Sequence, residues 1–156
     1  MDEIFSNWEN QLLILLDVTI AVILCAAIGK EREKSDKPAG LRTNMIVGGI
    51  SCFFVSICNN INNYIVESGL NNDVDVNTDP IRVLQAILVG VSFIGAGTVL
   101  KTDQGDNIKY LTTAATILFS SGVGIAVAMH AYVVAVGLTG IILLINLLNS
   151  IATKVK

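Results

Sequence analysis

The stretch Leu111–Leu148 reads LTTAATILFSSGVGIAVAMHAYVVAVGLTGIILLINLL and holds no Asp, Glu, Lys or Arg. As one helix it would extend about 57 Å, nearly twice the roughly 30 Å hydrocarbon core of a bilayer. A tight turn near His130 divides it into two spans, Leu111–Met129 and Ala131–Leu148. Three further apolar stretches lie upstream, at Leu12–Ile28, Leu41–Ile61 and Ile81–Leu100. With 53% hydrophobic and 15% charged residues, and a mean hydropathy of +0.66, the chain lacks the polar surface of a soluble domain. The expected fold is an all-α integral membrane protein, a compact bundle of five transmembrane helices forming a single transmembrane domain over residues 1–156.

Charge placement sets the expected orientation. The segment Gly29–Asn44 carries Lys30, Arg32, Lys34, Lys37 and Arg42 and is expected in the cytoplasm. Alternation places Lys101, Lys109, Lys154 and Lys156 on the same side, leaving only Arg82 outside. A four-span arrangement would put the lysine tail outside, so five spans with an external N-terminus and a cytoplasmic C-terminus fit better. Asp2, Glu3 and Glu9 precede the first apolar run, where a secretion signal would carry positive charge, so that run is read as a retained helix.

The outer loop Asn62–Pro80 is acidic and rich in asparagine, with Glu67, Asp73, Asp75 and Asp79. It lacks the mid-loop glycine and closing glutamate of an EF-hand, which favours a solvated, mobile loop over a calcium site. Asp79-Pro80 suits an N-cap followed by proline at the first helical position. Cys25, Cys52 and Cys58 all fall in apolar stretches without metal-like spacing, and His130 is the single histidine. Helix packing is the expected role of the cysteines, with redox sensing as the alternative. No metal, cofactor or nucleic-acid partner is expected.

Helices in lipid associate where small residues let backbones approach. Asp17, Ala21, Cys25 and Gly29 follow at four-residue spacing, as do Gly48, Cys52 and Ser56, and Ser120, Gly124 and Ala128. Ala86 and Gly90 begin a similar row, followed by Gly95 and Gly97. Gly29, Gly90, Gly95 and Gly97 are therefore expected in close helix contacts. Asp17 is the one acid within a span and a functional candidate on that ground, either paired structurally, with Arg82 as candidate partner, or handling a proton or cation.

Four sequence blocks stand in order: Gly29-Lys30-Glu31-Arg32, Ala39-Gly40-Leu41-Arg42-Thr43, Gly90-Val91-Ser92-Phe93-Ile94-Gly95-Ala96-Gly97 and Leu111-Thr112-Thr113-Ala114-Ala115-Thr116. Together they closely resemble the membrane domain of the MgtC/SapB family of bacterial inner-membrane proteins. Physically, Pro38 breaks the chain before it re-enters the membrane at Gly40. An ion pair between Glu31 and Arg42 is expected to clamp the two helix ends, and a binding surface for a partner or lipid headgroup at Arg32 and Arg42 is the alternative. Gly95–Gly97 with Thr112, Thr113 and Thr116 is expected to pack closely, or to form a small polar site facing Arg42 and Gln85. Asn107 resembles a family position associated with partner contacts.

The resemblance implies a multi-pass inner-membrane regulator that contacts another membrane complex, with the F-type ATP synthase as candidate. It also implies a link to growth at low magnesium and, in pathogens, to virulence. Longer members carry a soluble C-terminal domain, and the sequence ends at Lys156, so functions resting on that domain are not expected here. The alternative class is a magnesium or proton transporter or channel component, with a homo-oligomer able to supply missing groups. An enzyme is not expected, because no nucleophile–base pair or paired carboxylates stand at one depth.

Overall fold

The structure is a computed structural model that describes residues 8–67, 80–100 and 110–154. Its helices are α1 (Trp8–Lys34), α2 (Leu41–Glu67), α3 (Pro80–Leu100), α4 (Leu111–Ala128) and α5 (Tyr132–Lys154). The first four are long and apolar enough to cross a membrane, and α5 carries the shorter apolar stretch Tyr132–Leu148. Leucine, isoleucine, valine and phenylalanine side chains such as Leu12, Ile23, Ile46, Phe93, Val133 and Leu144 lie exposed on the outside of the bundle. A protein in water would hide such a surface; a protein in lipid presents it.

Helices α1 and α2 run beyond their apolar stretches. A helix satisfies its own backbone whatever the side chains do, and Lys30–Lys34 are good helix formers. The expected loop Asn62–Pro80 is accordingly shorter, because residues 62–67 continue α2. Pro80 opens α3, as proline at a first helical position does. Asp73, Asp75 and Asp79 lie outside the described residues.

Two helices end in the same device. After α1, Lys37 N–H donates to Arg32 C=O and Asp36 N–H to Glu33 C=O, with Asp36 left-handed at φ 55°. After α4, Ala131 N–H donates to Ala126 C=O and His130 N–H to Val127 C=O, with His130 at φ 56°. Both are Schellman caps that satisfy the last carbonyls and reverse the chain. The second is the turn read from the sequence at His130.

The packing order follows from side-chain size. Helix α4 touches all four others, while α3 packs on α2 and α4 at the edge. The share of the apolar window buried is 56% for α4 and 11% for α3. Thr113, Ser120, Ser121, Gly124 and Ala128 make α4 thin enough for its four neighbours to approach. On α1 the buried face is Asp17, Ala21, Cys25, Ile28, Gly29 and Arg32, which contains the expected row entire. Gly48 and Gly124 lie at the crossing of α2 with α4. A Cβ on Gly124 would overlap the Gly48 carbonyl oxygen, and one on Gly48 would overlap the Cys25 sulfur.

Helix α3 departs from the expectation. Among its residues 81–99 only Val91 and Gly95 are buried, and Ala86, Gly90 and Gly97 face away from the bundle. A Cβ on Gly90 or Gly97 would meet nothing within 4 Å. A row of small residues defines a helix face but does not say which neighbour that face meets.

Candidate functional site

At one end of the bundle, α1 ends and α2 begins with their backbones in contact. A Cβ on Gly29 would lie 2.6 Å from Leu41 Cα and 2.9 Å from Gly40 O, so only glycine permits the approach. That contact buries Arg32, which is 3% exposed. Its Nη2 donates a 2.6 Å hydrogen bond to Thr113 Oγ1 on α4, and Thr113 is fully buried. Arg32 Nε and Glu31 Oε2 are buried with no hydrogen-bond partner. Ser35 Oγ donates to Glu31 Oε1 at 3.0 Å.

One turn deeper, Asn44 ties three elements together. Its amide nitrogen donates to Ala39 O at 2.6 Å and Gly40 O at 2.8 Å, and its Oδ1 accepts from Ser120 Oγ at 2.7 Å. The side chain is fully buried and its polar atoms are engaged, as an interior amide requires. Ser51 and Ser121 hydroxyls meet at 2.9 Å, and Cys25 Sγ donates to Ser120 O at 3.5 Å. The blocks around Arg32, Gly40–Asn44 and Thr113 thus converge in one buried polar joint of α1, α2 and α4.

Several expected relationships take a different form. Glu31 and Arg42 make no ion pair, because Arg42 projects from the exposed side of α2 while Glu31 is held by Ser35. The clamp is Gly29 against Gly40–Leu41, with Arg32 locked to Thr113. Thr43 is partly buried and Thr112 exposed; Thr112 contributes its carbonyl to Thr116 Oγ1 at 2.8 Å. Gly95 does reach this end, where its Cβ position lies 3.2 Å from Ala114 Cβ. Gln85 does not join it: it is exposed near the start of α3, about 15 Å along the axis from Gly95. Asn107 lies outside the described residues.

At the opposite end stands Asp17, 4% exposed. Tyr132 O–H donates to its Oδ1 at 2.8 Å, and His130 Nδ1 lies 3.6 Å from its Oδ2 and 3.0 Å from the Tyr132 hydroxyl. Tyr132 and His130 therefore occupy the place expected for Arg82, because the α4–α5 turn folds over α1, whereas α3 is not among its packing neighbours. Asp17 opens on a cleft of about 370 Å³ lined also by Asn10, Ser56, Asn59, Asn60 and Asn63. Asn44 and Tyr132 escaped the sequence reading as site residues, and Ser120 was placed there only in a packing row. The signal available was a polar residue on the same face as the small-residue rows, for Asn44 four residues before Gly48.

Helices of this length and apolar surface define a multi-pass membrane protein. The MgtC family profile matches residues 18–154, and the chain belongs to that family. It is 36% identical over 76% of its length to the putative magnesium transporter YhiD of Escherichia coli K12, of which 52% is covered. Protein SapB of Bacillus subtilis 168 is 33% identical, with 81% of this chain and 52% of SapB covered. Protein MgtC of Salmonella typhimurium 14028s is 32% identical, with 86% of this chain and 51% of MgtC covered. The chain spans about half the length of the relatives it matches. No solved structure matches it.

Proposed function

We propose that this protein is a small membrane regulator, without catalytic activity of its own, that acts by docking α3 against another membrane complex. The observation that carries the reading is a contrast between glycines. Gly29, Gly48 and Gly124 are wedged against backbone or core atoms, whereas a Cβ would meet nothing within 4 Å at Gly122, Gly137 and Gly140, nor at the α3 pair Gly90 and Gly97. They share the outer side of α3 with Phe93, which is 75% exposed. Glycine in a helix interior costs up to about 1 kcal/mol relative to alanine, and an exposed pair gives nothing back unless another backbone approaches. The family resemblance names the F-type ATP synthase as candidate and a shortage of magnesium as the setting. The basic end, with Lys30, Lys34, Lys37 and Arg42 exposed, is assigned to the cytoplasm.

Affinity purification from native membranes tests the docking. The tagged protein recovers a membrane complex, and Gly90→Leu with Gly97→Leu loses it at equal expression. Arg42→Ala and Asn107→Ala locate any cytoplasmic part of the contact. Recovery unaffected by all of these variants would sink the reading.

Ion transport is the second reading, favoured by Asp17 and by the printed name of the YhiD relative. Between Asp17 and Arg32, however, Ala21, Cys25, Ile28, Val123 and Val127 are all fully buried. This close-packed layer, which also holds the buried hydroxyls of Ser51, Ser120 and Ser121, would have to part before an ion crossed one protomer. Flux into proteoliposomes that disappears in Asp17→Asn would favour transport over docking.

A further inference from the structure

At the Asp17 end, two cavities adjoin between α1 and α2 and share Asn10, Ile14 and Asn60. The first is the polar cleft of about 370 Å³ that opens on Asp17. The second is an apolar groove of about 330 Å³ lined by Leu15, Phe53, Ile57 and Ile61. Asn63, Asn59 and Ser56 follow at helical spacing on α2 and lead the polar lining inward to the depth of Asp17.

The deep end of the cleft is chemically incomplete. The Asp17 side chain is 6% exposed, its Oδ1 accepts one hydrogen bond from Tyr132, and its Oδ2 has only His130 Nδ1 at 3.6 Å. Ser56 is 7% exposed, and its hydroxyl has no oxygen or nitrogen partner. The Cys52 thiol one turn away is a soft, weak substitute. Among the described residues no lysine or arginine lines the cleft. A buried carboxylate in this setting calls for a cation that also donates hydrogen bonds.

We propose that the paired cavities hold one phospholipid with a primary-amine headgroup. Its ammonium reaches Asp17 and the Ser56 hydroxyl, its phosphate accepts from the asparagine amides, and one acyl chain fills the groove beside Phe53 and Ile57. An inorganic cation would satisfy Asp17 but leave the adjoining groove unrelated to it. A choline headgroup carries the charge without an N–H to donate, and a glycerol headgroup lacks the charge. The site is independent of the α3 face and stands whether or not α3 docks on a partner.

Native mass spectrometry of the full chain in mild detergent tests this, using phosphatidylethanolamine, phosphatidylcholine and phosphatidylglycerol with identical acyl chains. One phosphatidylethanolamine is retained per protomer, with an occupancy roughly tenfold above the other two, as a charge-assisted hydrogen bond implies. Asp17→Asn removes the preference. Ile57→Trp, which fills the groove and leaves Asp17 in place, removes it independently; gel filtration and circular dichroism check the folding of both. Equal retention of the three lipids by the wild-type protein would overturn the proposal, as would a preference that survives both variants. So would a 1:1 magnesium adduct that needs Asp17 and excludes the lipid.

Discussion

Arg32 Nη2 and Thr113 Oγ1 meet at 2.6 Å across 81 residues of sequence, with both side chains sealed inside the bundle. The bond ties the end of α1 to the start of α4 and gives a buried guanidinium one of the acceptors it needs. Thr113→Val keeps the shape and removes the acceptor. It is expected to lower stability by about 1.5–3 kcal/mol, the usual range for a hydrogen bond to a charged group. Thr113→Ser stays near wild type. Thermal unfolding in detergent checks the pair, and equal midpoints for valine and serine would refute the role of the bond.

The glycines separate by what they touch. Gly124→Ala drives a methyl group into the Gly48 carbonyl, a backbone atom that cannot swing aside, and costs about 1–3 kcal/mol or more. Gly90→Ala and Gly97→Ala meet open space and leave the isolated protein unchanged or raise its stability by up to about 1 kcal/mol. Comparing melting midpoints of the three variants shows whether α3 packs as described.

Asn44 both donates and accepts, so its aspartate variant is more disruptive than its alanine variant. Asn44→Ala removes the side-chain partner of the Ala39 carbonyl and of the Ser120 hydroxyl, while the Gly40 carbonyl keeps the backbone N–H of residue 44. Asn44→Asp keeps the acceptor for Ser120 but sets a buried carboxylate against two carbonyl oxygens. The yield of folded protein in the membrane fraction is expected to fall in the order wild type, alanine, aspartate. An aspartate variant as abundant as wild type would contradict the hydrogen bonds assigned to Asn44.

Thiol labelling reports on the core directly. Cys25 and Cys52 are fully buried and Cys58 partly so. A membrane-permeant maleimide is expected to modify Cys58 in the folded protein and to reach Cys25 and Cys52 only after denaturation. Mass spectrometry of the labelled peptides gives the answer.

Much of this architecture is visible in the residues themselves, and the exceptions share one cause. The span count follows from the uncharged length of Leu111–Leu148, and the inner face of α1 follows from Asp17, Ala21, Cys25 and Gly29 at one-turn spacing. Periodicity stops at the helix surface. It places Gly90 and Gly97 on α3 without telling that they point outward, and it offers Arg42 and Arg82 as partners for acids that Ser35 and Tyr132 engage instead. Which polar groups meet depends on helix rotation and neighbour order, set by packing among all the helices together. For that reason the motif around Arg32 was legible as a cluster, while its contact with Thr113 and the bracing by Asn44 and Ser120 were not.

The central claim, that the outer face of α3 docks on a different membrane protein, is met most directly at Phe93. A photo-crosslinking amino acid placed there, in living cells, should give one discrete adduct with a larger membrane protein that weakens when Gly90 and Gly97 are replaced by leucine. An adduct with lipid alone, or with a second copy of this chain alone, would contradict it.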